Sequence, residues 1–321
     1  MKFGVLQFFS WSRRGPLEAV YEKAFERIAI MEGAGYDCVW LAEHHFNTYS
    51  VCPSVTLMGT HIAARTKRLR IGTAVTLAGF HHPLRLAEEL AMLDMFSGGR
   101  LNWGAGRGFD QTEFRAFDVD IADSRERLFE CVDIVLKAFG GERFSHQGRF
   151  WNVRDVEVLP QPTQQPGLPF WMAASSPDAV TAAAMKGYSI LQDPHSTHAE
   201  IGVKRRLYLD TLAAHGFSGG GRDLPTARLL ALGRTKAQAT EIAREGARWT
   251  VASYAARGVD AQGRDPIAQY MDDTIIHGTP DEVVDTLRRL REEIGLEYLI
   301  VSPLSQDTFS LFTDEVLPHL V

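Results

Sequence analysis

The sequence predicts an α/β fold, a (β/α)8 TIM barrel with insertions, on two observations. Along the 321 residues, short runs rich in β-branched and aromatic side chains alternate with segments of helical period. That alternation is the signature of βα units laid around a parallel sheet. Eight such runs occur, at 3–8, 38–42, 70–77, 100–105, 170–174, 189–192, 227–232 and 297–302. A doubly wound open sheet is made of the same units, and the strand count favours the barrel.

The intervening helices are predicted at 16–34, 84–96, 124–139, 177–186, 199–215, 236–256 and 280–293. Several carry start signals: Ser124 ahead of an Arg-Glu-Arg turn, Ser176-Pro177-Asp178, and Thr279-Pro280-Asp281-Glu282 with proline at the first helical position. Two stretches break the rhythm. Residues 140–169 contain Phe144, Phe150, Trp151 and a Pro/Gln-rich tract, and read as an insertion in the barrel. Residues 257–278 are polar and bear Gly, Pro and Asp, the composition of a mobile lid. No repeat or linker divides the chain, so a single domain over 1–321 is expected.

Composition narrows the function classes. With 45% apolar and 23% charged residues the chain can bury a sizeable core. A net charge of −6 and a pI near 6.0 offer no general attraction to nucleic acid or to an anionic membrane. The apolar run at residues 1–9 lacks a basic flank and a small-residue cleavage site, and reads as a first strand. No uninterrupted apolar stretch reaches the roughly 20 residues that span a bilayer. Cys38, Cys52 and Cys131 are odd in number and show no CxxC spacing, which suggests neither a disulfide framework nor a thiolate metal site. A cytoplasmic protein acting on a small molecule fits these features.

Three segments sit where predicted strands end, the place where barrels build their sites. The first is Trp40-Leu41-Ala42-Glu43-His44-His45-Phe46. A histidine exchanges protons near neutral pH, and the adjacent Glu43 can fix its tautomer or raise its basicity. The plainer reading is a pair of loop histidines satisfied locally. No metal-ligand spacing follows them, so no metal is expected. The second runs from Gly98 to Gly108, a strand leaving into a glycine-rich turn with Arg107. Glycines admit an anion close to the backbone and a guanidinium forks onto phosphate oxygens. The spacing is not that of a dinucleotide fingerprint, and an ordinary ion pair of Arg107 is the alternative. The third, Trp171 to Ala179, brings Ser175 and Ser176 to a helix start. Free N–H groups there suit a phosphate, though a plain serine N-cap explains them too. Trp249 with Tyr254 is either a pocket wall or core, and His81-His82 either polarises a substrate or caps the third strand's loop. Phe8, Phe9, Trp11, Phe46, Phe80, Phe109 and Trp249 are candidates for an apolar pocket.

Taken in order, these segments resemble the luciferase-like monooxygenases, typified by the α subunit of bacterial luciferase. The resemblance runs through Met1-Lys2-Phe3-Gly4, Gly35-Tyr36-Asp37, Val39-Trp40-Leu41, Glu43-His44-His45-Phe46, Gly72-Thr73-Ala74, His82-Pro83, Leu93-Asp94, Gly99-Arg100 and Arg107-Gly108. It then becomes patchier, through Ser175-Ser176, Gly278-Thr279-Pro280 and Glu315-Val316-Leu317-Pro318. It implies that His44 is the catalytic base and that Arg107, joined by Ser176, holds the phosphate of FMN. Glu43, Ala74, Val75, Gly106 and Ser175 are the other cofactor-binding positions it implies, with a cis peptide between Ala74 and Val75. His45 and Glu88 would lie towards a subunit contact, which implies a homodimer.

The resemblance further implies a two-component enzyme. Reduced FMN (FMNH2) comes from a separate flavin reductase and reacts with O2 to a flavin 4a-peroxide. That species oxidises a small lipophilic substrate such as an aldehyde or ketone. A deazaflavin-dependent oxidoreductase of the same fold and a non-catalytic flavin-binding partner subunit are the alternatives. Two departures stand out: Gly106 replaces a cysteine of luciferase, which implies more room beside the flavin, and Ser175 replaces an acid.

Overall fold

In a computed structural model, the chain is described over residues 1–11, 14–254 and 265–321. Its contacts group it into two compact units, Gln7–Ala173 and a second made of Met1–Leu6 with Ala174–Val321.

In the Gln7–Ala173 unit, strands β2 (Cys38–Leu41), β3 (Arg70–Thr73), β4 (Leu101–Ala105) and β7 (Phe170–Ala173) run parallel in that order. β2 and β4 are buried along their whole length, as strands covered on both faces must be. The strands pack closely enough that Gly72 is required. A Cβ there would meet the Trp40 indole at 2.3 Å. Helices α1 (Leu17–Ala34), α3 (Pro83–Ser97) and α5 (Ser124–Ala138) lie near their predicted positions. Two further helices, α2 (Val55–Arg65) and α4 (Gln111–Ala116), were not predicted. Each has a side-chain cap: Ser54 accepts from the Leu57 N–H, and Asp110 from that of Thr112.

The expected insertion has its own order. Within 140–169, β5 (Phe144–Gln147) and β6 (Asn152–Val156) form an antiparallel pair. The Pro/Gln tract that follows contains cis peptides at Leu159–Pro160 and Gln165–Pro166. It is fastened by the fully buried Asp94, whose carboxylate accepts from the backbone N–H groups of Thr163 and Gln164 and from both their side chains.

In the other unit, β11 (Tyr298–Pro303) pairs in parallel with β1 (Lys2–Gln7) and with β9 (Thr226–Leu232). β9 pairs in turn with β10 (Ile276–Gly278), and Gln192, just past β8 (Ser189–Leu191), bridges to Thr226. Helices α6 (Pro177–Met185), α7 (His198–Ala214), α8 (Lys236–Tyr254) and α10 (Pro280–Ile294) were anticipated. Capping boxes at Thr197/Glu200 and Thr279/Glu282 set the starts of α7 and α10. Helices α9 (Pro266–Asp273) and α11 (Gln306–Leu311) were not.

All eight predicted strands are present, with β10 in addition to them and to the β5/β6 pair. The stretch 257–278, expected to be irregular, is corrected in that respect over its described part. Asp265 caps α9 with Pro266 at its first position, and Ile276–Gly278 is a strand. Residues 257–264 lie outside the described residues, as does the side chain of Tyr254. No described helix is long and apolar enough to cross a membrane.

Candidate active site

Strand ends in the Gln7–Ala173 unit gather most of the predicted residues by backbone bonding alone. The Ala74 N–H donates to the Leu41 carbonyl, that of Glu43 to Val75, and that of Gly106 to Thr76. The loop ends of β2, β3 and β4 are thereby stitched into one patch holding Glu43, His44, Ala74, Val75 and Gly106. The peptide between Ala74 and Val75 is cis. Gly106 lies against it, and the room implied by the missing cysteine is corrected. A Cβ at Gly106 would meet Val75 Cγ2 at 2.4 Å and Ala173 Cβ at 3.4 Å, so Val75 already occupies that space.

The two adjacent histidines have separate tasks. His44 is almost buried, and its Nδ1 shares a 2.5 Å hydrogen bond with the Tyr49 hydroxyl. The same nitrogen lies 3.6 Å from Glu113 Oε1, a carboxylate buried to 1% exposure. Phe8 stacks parallel to the imidazole at 6.3 Å, and Phe109 meets it edge-on at 6.2 Å. With Nδ1 engaged, Nε2 is the ring atom left to exchange a proton.

Glu43 does not serve His44, contrary to expectation. Its Oε1 accepts from His45 Nε2 at 3.0 Å and from His81 Nε2 at 2.8 Å, and its Oε2 accepts the Leu77 N–H at 3.0 Å. Burial alone would raise this carboxyl's pKa. The bonds from His45 and His81, with the charge of His81 and the Leu77 N–H, outweigh burial and hold it at about 2. His81 is shifted the other way. Burial lowers its pKa, but Glu43, and more distantly Glu89, raise it above the ordinary histidine value. His81 is thus a partner of Glu43, and His82 is the exposed residue that precedes α3.

Arg107 follows β4 directly, and its side chain is exposed. Among the described residues its guanidinium makes no ion pair, so the plain reading of it as one side of a salt bridge fails. Ser175 and Ser176 lie in the other unit, exposed between β7 and α6. Ser176 Oγ accepts the Ala179 N–H at 3.2 Å, which leaves its hydroxyl hydrogen free to donate. An unpaired guanidinium and a serine at a helix start are donors of the kind a phosphate monoester needs, and a backbone patch around Gly106 suits a flat ring. The residues present therefore fit FMN. Among the described residues, no group of three or more His, Cys, Asp or Glu is placed to hold a metal ion.

The model of the luciferase-like monooxygenase family matches residues 1–298. The chain belongs to that family. A curated relative from Acinetobacter baylyi, the oxygenase component of a flavin-dependent trigonelline monooxygenase, is 32% identical over 177 residues, 54% of this chain and 49% of that protein. The chain spans about half the length of the first curated relatives it matches. Among solved structures, the monooxygenase RslO1 from Streptomyces bottropensis is 29% identical with a TM-score of 0.82 over 100% of both chains. The oxygenating constituent of 3,6-diketocamphane monooxygenase from Pseudomonas putida, solved with FMN, has a TM-score of 0.83 at 17% identity, over 100% of this chain and 99% of that one. Likeness over the full length shows the luciferase-like (β/α)8-barrel fold.

Within this luciferase-like chain the aromatic candidates sort by position. Phe8 and Phe109 flank His44. Phe9 is fully buried beside Tyr21, Phe46 is 64% exposed against Phe117, and Phe80 packs on Phe114 and Phe117. Trp11 donates to the Gly15 carbonyl, and Trp249 is 43% exposed, so it is not core. Tyr49 and Glu113 were missed. Neither sits in a recognisable motif, and only the fold brings Glu113 to His44.

Proposed function

We propose that this chain is the oxygenase of a two-component flavin monooxygenase, using reduced FMN and O2 to oxidise a small lipophilic substrate such as an aldehyde or ketone. The observation that carries the proposal is His44: a nearly buried imidazole at a strand end, walled by Phe8 and Phe109, with Nδ1 fixed and Nε2 left over.

Bound reduced FMN supplies the two electrons and the site of oxygen activation. The protein supplies the rest. Arg107 and, from the start of α6, Ser176 are the donors assigned to the phosphate. Ala74, Val75 and Gly106 offer backbone to the flavin ring. Glu43, with both oxygens engaged, acts by holding His45, His81 and the Leu77 turn in place. When His44 Nδ1 donates to Tyr49 Oη, Nε2 carries the lone pair and takes a proton. Glu113, 3.6 Å from Nδ1, stabilises the resulting imidazolium. Phe8 and Phe109 flank the imidazole with apolar rings. The chain has no nicotinamide fingerprint, so a separate reductase delivers the reduced flavin, and a homodimer belongs to the same proposal.

The test titrates anaerobically reduced FMN into the wild type, His44→Ala and Arg107→Ala, then admits air and follows flavin absorbance and oxygen uptake. Loss of a charge-assisted phosphate contact is worth ~1.5–3 kcal/mol, so Arg107→Ala should bind about 10- to 100-fold more weakly. His44→Ala should bind normally and turn over ~10²- to 10⁴-fold more slowly. Failure of the wild type to bind reduced FMN, or hydride transfer with a deazaflavin and no oxygen uptake, would overturn the proposal.

A further inference from the structure

The unit made of Met1–Leu6 with Ala174–Val321 contains a polar cluster that the proposed chemistry does not use. Lys204, on α7, is 4% exposed, and its ammonium has three acceptors: Asp193 Oδ2 at 2.8 Å, Ser196 Oγ at 2.5 Å and the Ser175 carbonyl at 3.1 Å. Its hydrogen-bonding capacity is filled. Asp193 is engaged as fully, since its Oδ1 accepts from the backbone N–H groups of His195 and Ser196 and its carbonyl accepts from Arg228. A buried ion pair of this kind contributes little net stability over an apolar pair of similar size. What it does is fix geometry. One ammonium ties the turn between β7 and α6 to the loop between β8 and α7.

The consequence for that turn follows from the peptide plane. The Ser175–Ser176 bond is trans, so the carbonyl of Ser175 and the N–H of Ser176 point in opposite directions. With the carbonyl drawn to Lys204, the N–H of Ser176 must point away from the ion pair. That N–H belongs to the N-cap of α6, next to the hydroxyl left free to donate. Pro177 offers no N–H and the Ala179 N–H is taken by Ser176 Oγ, so the orientation of this one peptide decides much of what the helix start presents.

We propose that Lys204, with Asp193 as its counter-ion, is a positioning residue that aims the Ser176 donors at the phosphate of the flavin. The inference rests on the reading of Ser176 as a phosphate-binding residue. Lys204 itself touches no ligand. It acts by holding one carbonyl, and a substitution should therefore reach the phosphate and spare the ring.

Reduced FMN and reduced riboflavin differ only by that phosphate, so the ratio of their dissociation constants isolates its contribution. The ratio is measured anaerobically on the whole chain for the wild type, Lys204→Met, Lys204→Arg, Asp193→Asn and Arg107→Ala, with a thermal melt of each. Lys204→Met should weaken FMN on the order of tenfold, the loss of one charge-assisted contact, and leave riboflavin unchanged. Asp193→Asn, which keeps the volume, should move the ratio the same way by less, and Lys204→Arg should restore part of it. An unchanged ratio in both Lys204→Met and Asp193→Asn, or an equal loss for both flavins, would overturn the positioning role while Arg107→Ala still lowers the ratio. Should Arg107→Ala also leave it at the wild-type value, the phosphate assignment itself fails.

Discussion

Two loops at strand ends each hold a carboxylate far more acidic than usual, and they use different cations to do it. After β2, Glu43 is held at about 2 against burial by His45, His81 and the Leu77 N–H. After β8, burial likewise opposes ionisation of Asp193, and the charge and hydrogen bond of Lys204, with help from His195, bring it to about 2. An imidazole sheds its proton near neutral pH, whereas a lysine ammonium ordinarily does not. The first network is therefore conditional on pH through His81, whereas the second rests chiefly on a lysine. The conditional one stands beside the residue assigned to proton transfer, and the fixed one beside the turn assigned to phosphate.

The largest effect should come from breaking the fixed network. Asp193→Ala leaves the Lys204 ammonium without its counter-ion at 4% exposure, and should lower the unfolding free energy by ~3–5 kcal/mol. The loss is read from urea titrations of the variant against the wild type. A variant as stable as the wild type would mean that the ion pair does not hold this loop as described.

Glu43→Ala should come second, and should depend on pH. It removes the acceptor of two imidazoles and of the Leu77 N–H, at ~2–4 kcal/mol at pH 6. In the wild type, Glu43 is depressed from 4.5, so its contribution is present above 4.5 and lost as pH falls towards 2. His81 is raised from 6.5, so its contribution is complete below 6.5 and lost as pH rises through its folded value. The pair is thus strongest between about 4.5 and 6.5. The loss caused by Glu43→Ala should shrink from pH 6 to pH 8, and an unchanged loss would remove the role given to His81.

The sequence made one feature of this contrast readable and hid another. Eight strands were legible because runs such as Cys38–Leu41 and Thr226–Leu232 are buried throughout and rich in apolar residues. β10 was not, because three residues carry no period. α9 begins with an Asp-Pro pair much like the Thr-Pro pair of α10, and Ile267, Tyr270 and Met271 pack on the core at helical spacing, but its eight residues hold little more than two turns of that period. α2 was obscured by Gly59, which is small because a Cβ there would meet Leu93 at 2.8 Å.

The site followed the same division. Adjacent side chains in extended backbone face opposite ways, so the neighbour on Glu43's own face is His45, two residues on, and not His44. That inference was open to the sequence. The approach of Glu113 and His81 was not, because it depends on how loops from different strands converge.

The smallest effect in this series concerns the departure from luciferase at Gly106, whose surroundings can be restored or relieved by design. Gly106→Cys puts a Cβ 2.4 Å from Val75 Cγ2, closer than real side chains approach, and 3.2 Å from Val75 Cβ, which is tight. Since Val75 is β-branched, it has few rotamers with which to yield. Overpacking of this sort costs ~1–3 kcal/mol. Adding Val75→Ala removes Cγ2, the carbon of the shorter contact, and leaves only the milder approach to Cβ, so the double variant should recover much of the loss, and thermal melts of the four proteins close the cycle. Recovery would show that valine and glycine fit together as a pair, with Val75 filling the space that a cysteine would need. If Gly106→Cys alone melts like the wild type, Val75 is not confined by its neighbours, and the strand-end patch that links Glu43 to Val75 is looser than its hydrogen bonds imply.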